Sequence, residues 1–231
     1  MKIAERVEML EVKFQQGVPQ AAYYPVLLWD DKDTALIDTG FPGQLELIRA
    51  EMAKCGKKPE QVTKVIITHH DIDHIGNLKA FKGFGAQIIA SETETPYVQG
   101  DKPFLKITDM EKTANKLPPE RRAFYDRLKE TAPQLCAKVD IKVKDGEVIP
   151  ACGGIKVYAT PGHTLGHIAL LLMKSGIAVC GDAANIIGGK LVTANSQNTH
   201  DQTAADKSFD MLVSLKAPDG YVCYHSGYLK G

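Results

Sequence analysis

Residues 68–74 read Thr-His-His-Asp-Ile-Asp-His, a crowd of imidazoles and carboxylates placed directly after the short apolar run 62–67. Three later segments have the same character: Pro161-Gly162-His163-Thr164, Gly181-Asp182-Ala183 and Tyr224-His225-Ser226-Gly227. Each closes a stretch that reads as a strand. His and Asp are donors that a divalent cation gathers, so a fold for this chain has to bring these strand ends together.

The bulk of the sequence narrows the classes. At 231 residues the chain is long enough for one large domain, 1–231, and no shift in composition demands a second. Lys and Arg number 28, as do Asp and Glu, so no long-range positive field marks a protein that grips a nucleic-acid backbone. The five cysteines (Cys55, Cys136, Cys152, Cys180, Cys223) are scattered and include no C-x-x-C pair, which argues against a disulfide framework and a Cys-rich zinc knuckle. Lys2, Glu5, Arg6 and Glu8 interrupt what would be the apolar core of a secretion signal, and no membrane-length apolar stretch follows. The expected compartment is the cytoplasm, with a small-molecule substrate and with neither nucleic acid nor membrane as a partner.

Strand signals open the chain over 6–14, 21–29 and 34–37, the last two separated by the turn Asp30-Asp31-Lys32-Asp33. Leu45, Ile48 and Met52 have helical spacing over 45–55, with Gly56 as a stop signal. A strand over 62–68 delivers His69 at its end; a short helix at 76–81 and a strand at 87–90 follow. Between about 93 and 139 the character changes to a helical insertion, with Lys102, Lys106, Lys112 and Lys116 among apolar residues. After Pro118-Pro119 it continues with Arg121, Phe124, Tyr125 and Leu128 at helical spacing. Such helices pack one face on the body; the other face is free to line a substrate mouth or to form a homodimer contact. Strands are then expected at 155–160, 167–173 and 177–180, with Ser175-Gly176 as a hairpin turn, followed by a helix at 203–215 capped by Asp201 and a strand at 220–224. Two strand-rich halves, each followed by helices, suit an α/β sandwich of two sheets covered on their outer faces.

One metal cannot easily use every donor in 69–74, but two can, with His69 and Asp71 serving one and Asp73 and His74 the other. Catalytic zinc usually takes three protein ligands and leaves a position for water, so each metal needs a donor from elsewhere. His163 follows a rigid Pro-Gly turn, and His225 completes the second set. Asp182 has two carboxylate oxygens and can bridge two cations, and a hydroxide shared between them is a nucleophile at neutral pH.

These segments resemble the metallo-β-lactamase superfamily, whose signature is T-H-x-H-x-D-H followed by a later His, an Asp and a last His. Leu36-Ile37-Asp38-Thr39-Gly40, Gly76 and Pro161-Gly162-His163-Thr164 with His167 match as well, in family order over nearly the whole chain. The resemblance implies a four-layer αβ/βα sandwich of two mixed β-sheets flanked by helices, with metals at one edge. It implies that His69, Asp71 and His163 hold the first metal, that Asp73, His74 and His225 hold the second, and that Asp182 bridges them. Asp38 would orient the ligand loops instead of binding. The departure from the pattern is Asp71, which stands where the signature has its second His.

The implied activity is that of a dinuclear metal-dependent hydrolase, of the glyoxalase II-like branch, acting on a small ester, thioester or lactone with a metal-bridging hydroxide. Asp73 would orient the hydroxide and Asn185 would polarise the carbonyl; the competing reading of Asn185 is a turn residue. Two divalent ions are expected, zinc first, with iron or manganese also compatible with these donors. The sequence lacks the tyrosine that quorum-signal lactonases carry shortly after the bridging Asp, and ends at Gly231 without the helical extension of glyoxalase II. A metal-dependent phosphodiesterase is one alternative. Another is a di-iron redox protein resembling the metal domain of flavodiiron proteins, which carry a carboxylate at the position of Asp71. Asp38-Thr39-Gly40 also looks like an aspartic-protease signature, but the chain holds one copy and that reading leaves the histidines unexplained. His70 is expected to point away from the metals in a surface or packing role, and His167 to be hydrogen-bonded beneath the site. His200 follows the polar loop 195–199 and is open between pocket edge and solvent. Cys180 and Cys223 are expected to be buried, inert thiols.

Overall fold

Successive side chains of a strand point to opposite faces, so a strand that is apolar at every position must be covered on both sides. Val26, Leu27 and Leu28 are all buried, as are residues 34–37. A computed structural model describes residues 1–13, 22–194, 196–215 and 219–231 and shows what covers them. The first part of the chain forms β1 (Lys2–Ala4), β2 (Val7–Met9), the ribbon strands β3 (Val12–Lys13) and β4 (Ala22–Tyr23), β5 (Val26–Trp29), β6 (Thr34–Ile37) and helix α1 (Leu45–Ala53). Next come β7 (Lys64–Ile66), the one-turn helix α2 (Ile72–Ile75), α3 (Leu78–Gly83) and β8 (Gln87–Ser91). Helices α4 (Thr95–Val98), α5 (Leu105–Glu111) and α6 (Pro119–Leu135) then lead to β9 (Ile141–Val143). The remainder forms β10 (Val148–Ile149), β11 (Ile155–Ala159), β12 (Ile168–Leu172), β13 (Ile177–Val179), β14 (Ala184–Ile187), β15 (Lys190–Thr193), α7 (Gln202–Ser214), β16 (Gly220–Cys223) and β17 (Gly227–Leu229).

Among the described residues, one sheet has the order β1-β2-β5-β6-β7-β8-β9 and a second has the order β10-β11-β12-β13-β16-β17. Both are mixed: β6 to β9 run parallel in the first, and β13 pairs parallel with β16 in the second. Val26, Leu28, Ile37, Ile66 and Ile89 of the first sheet meet Val157, Ile168, Leu170, Val179 and Val222 of the second in one buried cluster. The alternate residues Leu27, Leu36, Val65 and Ile88 face the other way, onto Ile48, Met52, Leu78, Phe81 and Leu128 from the helices. Beyond the second sheet, Ala169, Ala178, Cys180 and Cys223 pack with Leu212 of α7. The layers are helix, sheet, sheet and helix. Phe81 is fully buried between helix and sheet, so truncating it to Ala costs about 3–5 kcal/mol.

Several strand boundaries differ from expectation for local reasons. The stretch 6–14 starts one residue late because Arg6 takes a left-handed φ of 57° in the turn from β1, and it breaks at Leu10 and Glu11 as β3 leaves the sheet of β2 to pair with β4; Phe14 and Ala21 lie outside the described residues. The stretch 21–29 splits into β4 and β5 at Pro25, which has no N–H for a ladder. The expected strand at 62–68 is regular only over Lys64–Ile66, and the expected helix at 76–81 is α3, shifted to Leu78–Gly83, with the one-turn helix α2 before it not anticipated. Asp201 does cap α7, its carboxylate accepting the Ala204 N–H at 3.0 Å. The Asp30 turn is held by its own side chain, which accepts the N–H groups of Lys32 and Asp33 at 2.8 and 2.7 Å. The hairpin β14–β15 and the short strands β1, β9 and β10 were not anticipated. No helix among the described residues is long and apolar enough to cross a membrane.

Candidate metal centre

The cluster at 68–74 is shaped by Asp38, which ends β6 in a left-handed conformation with φ of 61°. Its buried carboxylate accepts the Thr68 N–H and the Thr68 hydroxyl, both at 2.9 Å, and lies 2.9 Å from His74 Nδ1. A ring nitrogen facing a carboxylate carries the hydrogen, so His74 is left presenting Nε2. Asp38 therefore plays the orienting part expected of it. The Thr39 N–H and hydroxyl hold the His74 carbonyl at 2.6 and 2.9 Å. The two loops approach so closely that a Cβ on Gly76 would sit 2.3 Å from the Gly40 carbonyl oxygen. Any larger residue forces the backbones apart. Asp71 precedes α2, and the single turn of that helix, not a strand-like alternation, sets the directions of Asp73 and His74.

All seven residues named as ligands converge. His163 Nε2 lies 3.0 Å and His69 Nε2 3.3 Å from Asp71 Oδ2. His225 Nε2 lies 3.3 Å from Asp73 Oδ2, and His74 Nε2 lies 3.7 Å from the same atom. Asp182 stands between these groups, with Oδ1 3.3 Å from His74 Nε2 and Oδ2 3.6 and 3.2 Å from His163 and His225. Donor atoms of His69, Asp71 and His163, of His69, His74 and Asp182, and of Asp73, His74 and His225 fall within 4.8 Å of one another in each group.

The donor set fits divalent cations on its own physics. His69 Nε2, His74 Nε2 and Asp182 Oδ1 are buried and have no hydrogen-bond partner among the described residues, a costly arrangement unless something electrophilic joins them. The surrounding charge makes the same demand. Burial works against protonating His74, yet Asp38, Asp182 and Asp73 overcome it and raise its pKa well above the usual imidazole value. Burial likewise opposes the charged form of His225, and Asp182 and Asp73 push its pKa up to about 10. Asp182 keeps its carboxyl well below the usual range against burial, through His225 and His74. A pocket of carboxylates that pulls protons onto histidines is one that a cation neutralises.

Other residues were misplaced or missed by sequence reasoning. His70 does point away from the ligands but is fully buried, not at the surface. Its Nδ1 meets Glu94, its Nε2 accepts the Leu105 N–H at 3.2 Å, and its ring stacks on Tyr97. Glu94 Oε2 also accepts the His70 N–H at 3.1 Å, while Oε1 accepts the Thr164 hydroxyl at 2.7 Å and the Gly166 N–H at 2.8 Å. One buried carboxylate thus ties the loop of His69 and Asp71 to the loop of His163. His167 lies beneath the site, with Nδ1 2.7 Å from the Thr160 hydroxyl and Nε2 accepting the Asp182 N–H at 3.1 Å. Burial, with His163 nearby, lowers its pKa to about 3. Lys106 of α5 meets Asp71 directly. Burial works against its charge, but Asp71 more than compensates and raises its pKa. Tyr224 packs its ring 3.9 Å from that of His74 and donates to the Asp73 carbonyl. Only the basic run 102–116 hinted at Lys106; Glu94 had no local signal.

Two cavities meet at the centre. One, of about 300 Å³, is lined by Asp73, Asp182, Asn185 and His225. Asn185 belongs to a hairpin strand, paired with Val192, and not to a turn. The other, of about 450 Å³, opens beside Asp71 under α5 and α6 and has His200 at its edge. His200 Nδ1 lies 2.8 Å from Asp109, which anchors the described part of its loop, 196–200, to α5; Asn195 lies outside the described residues. Cys180 and Cys223 are buried, and the neighbouring Cys180 thiol, with burial, pushes Cys223 well above the usual thiol range. Their burial fits the inert thiols expected.

Residues 22–226 match a family model described as the metallo-beta-lactamase superfamily. A protein of Bacillus subtilis named probable metallo-hydrolase YqjP is 29% identical over 174 residues, covering 71% of this chain and 50% of the relative. A hydroxyacylglutathione hydrolase of Ectopseudomonas mendocina is 24% identical over 167 residues, covering 71% of this chain and 47% of the relative. The match thus spans about half the length of each. Among solved structures, a metallo-beta-lactamase family protein from Thermus thermophilus shares the fold with a TM-score of 0.76 at 22% identity, over 99% of this chain and 76% of that one.

Proposed function

The chain belongs to the metallo-β-lactamase superfamily, and from that premise we propose that it is a dinuclear metal-dependent hydrolase of small esters, thioesters or lactones. One observation carries the reading: three buried donor atoms without partners, on His69, His74 and Asp182, with Asp182 placed between two further ligand groups. His69, Asp71 and His163 would hold one ion, Asp73, His74 and His225 the other, and Asp182 both. Two divalent ions bound there, zinc foremost, would supply a water of lowered pKa and a Lewis acid for the carbonyl.

The side chains do the rest. Asp73 lines the smaller cavity and takes the proton of the attacking water, while Asn185, on the same cavity wall, donates to the oxygen that gains charge at the carbonyl. Water adds to the carbonyl carbon, the acyl–oxygen or acyl–sulfur bond breaks, and the proton passes to the leaving atom. His225 is 39% exposed and marks the side of the cavity from which that group departs.

A panel of aryl esters, thioesters, lactones and phosphodiesters, run with and without chelator, tests this. The expected result is chelator-sensitive turnover of a carbonyl substrate, restored by zinc. Phosphodiester turnover alone would replace the proposed substrate class. A redox reading is favoured by Asp71, a hard oxygen donor inside the histidine cluster that suits iron. Dioxygen consumption by iron-loaded protein with a supplied reductant, without hydrolysis of any panel member, would establish that reading instead.

A further inference from the structure

The two cavities share Lys106, His163 and Asn198 in their walls. On the far side of that seam the larger one changes character: Leu105, Met110 and Phe124, from α5 and α6, face a concave space of about 450 Å³. Phe124 is 47% exposed, and Leu105 and Met110 are partly exposed. Apolar side chains gathered in a concavity of that size beside a reactive centre are the usual lining of a small-molecule site. The charges around it are already balanced. Lys106 is paired with Asp71, and Asp109 with Lys112 and His200 at 2.7 and 2.8 Å, while Glu120 and Arg121 on the rim have opposite signs. The walls carry both signs, Asp71, Asp109 and Glu120 against Lys106 and Arg121, with no concentration of one sign that would favour a charged tail.

We propose that this cavity is the acyl subsite and that it selects a neutral apolar acyl group of medium length, or an aryl group, over acetyl. The proposal rests on the hydrolase reading for its chemistry. The smaller cavity is lined by polar side chains such as Asp73, Asp182, Asn185 and His225 and takes the leaving group, which leaves the apolar-walled space under α5 and α6 for the acyl chain. Phe124, Met110 and Leu105 set the preference by contact with that chain.

Two measurements test it. The first needs no activity: octanamide and acetamide are titrated into metal-free protein while the Met110 methyl resonance is followed by NMR. Octanamide is expected to bind and shift that resonance, acetamide not, and Phe124→Ala to weaken octanamide about tenfold. The second compares p-nitrophenyl acetate, butyrate and octanoate with zinc-loaded protein. The expected gain in kcat/KM is about fourfold per added methylene until the cavity is filled, the factor for taking one CH₂ out of water. Phe124→Ala should lower the octanoate-to-acetate ratio about tenfold. Turnover without octanamide binding at Met110, or a ratio unchanged in Phe124→Ala, overturns the subsite and leaves the hydrolase reading standing. Binding at Met110 with no ester hydrolysed supports the subsite and removes the hydrolase reading.

Discussion

Lys106 donates its ammonium proton to Asp71 Oδ2, the same oxygen that His163 Nε2 approaches to 3.0 Å and His69 Nε2 to 3.3 Å. The carboxylate that stands in for a histidine is therefore shared with a fixed cation. Burial opposes the charge on Asp71, but Lys106 and the two histidines hold its carboxyl well below the usual range. A donor already engaged by an ammonium binds a second cation less tightly, so the two ions should leave in separate steps on titration with a chelator, the one at His69, Asp71 and His163 first. Lys106→Met should tighten that weaker site by on the order of tenfold, since it removes a repulsion of about 1 kcal/mol or more between like charges a few ångströms apart. Asp71→His should act in the same direction. Two steps left unchanged by both substitutions would show that Asp71 is not a ligand.

Glu94 is expected to matter out of proportion to its distance from the reacting atoms. It joins the loop holding His69 and Asp71 to the loop holding His163. Glu94→Ala leaves the buried His70, Thr164 and Gly166 donors without an acceptor, at a cost of about 3–5 kcal/mol in chemical denaturation. Glu94→Gln keeps the shape and removes the charge, and should weaken metal binding about tenfold, as for other residues that orient ligands. The pH dependence has a defined sign. Burial opposes ionising Glu94, yet His70 and the hydrogen bonds hold its folded-state pKa below the usual value. Its contribution to stability is fully present above the unfolded pKa of about 4.3 and is lost as pH falls through the lower folded value. The stability gap between wild type and Glu94→Gln should therefore shrink below about pH 4. A constant gap down to pH 2 would contradict the assignment.

The difference between Asp71 and Glu94 shows what the sequence made readable. The convergence of His69, Asp71, Asp73, His74, His163, Asp182 and His225 was legible because each stands in a short segment that follows a strand, and parallel strands in mixed sheets bring their ends to one edge. The layering was legible because two strand-rich halves are each followed by helices, which cover the outer faces of the sheets. Glu94 and Lys106 were not legible. Their roles depend on how α4 and α5 fold back over the ligand loops, a tertiary contact with no local spacing to reveal it. Of the two roles open for His70, surface or packing, the structure shows packing, because Tyr97, Glu94 and Leu105 enclose it from that same segment. The strands within 184–193 were not anticipated because only a hairpin pairing, Asn185 with Val192, makes them strands.

Asn185 should influence the chemical step and not the folding. It lines the smaller cavity with Asp73 and Asp182. If it donates to the oxygen that gains charge, Asn185→Ala should lower kcat about 10²–10³-fold while KM and metal content change little. A substitution that raised KM alone would make Asn185 a ground-state contact.

The account depends above all on two ions being held by seven side chains. The direct measurement is elemental analysis of protein purified without added metal and of the same protein after dialysis against zinc, beside Asp182→Asn and His74→Ala. The account predicts two ions per chain for the zinc-dialysed wild type, with loss of about one or more in each variant. No more than trace metal in the wild type after zinc dialysis, or two ions in both variants, would contradict it.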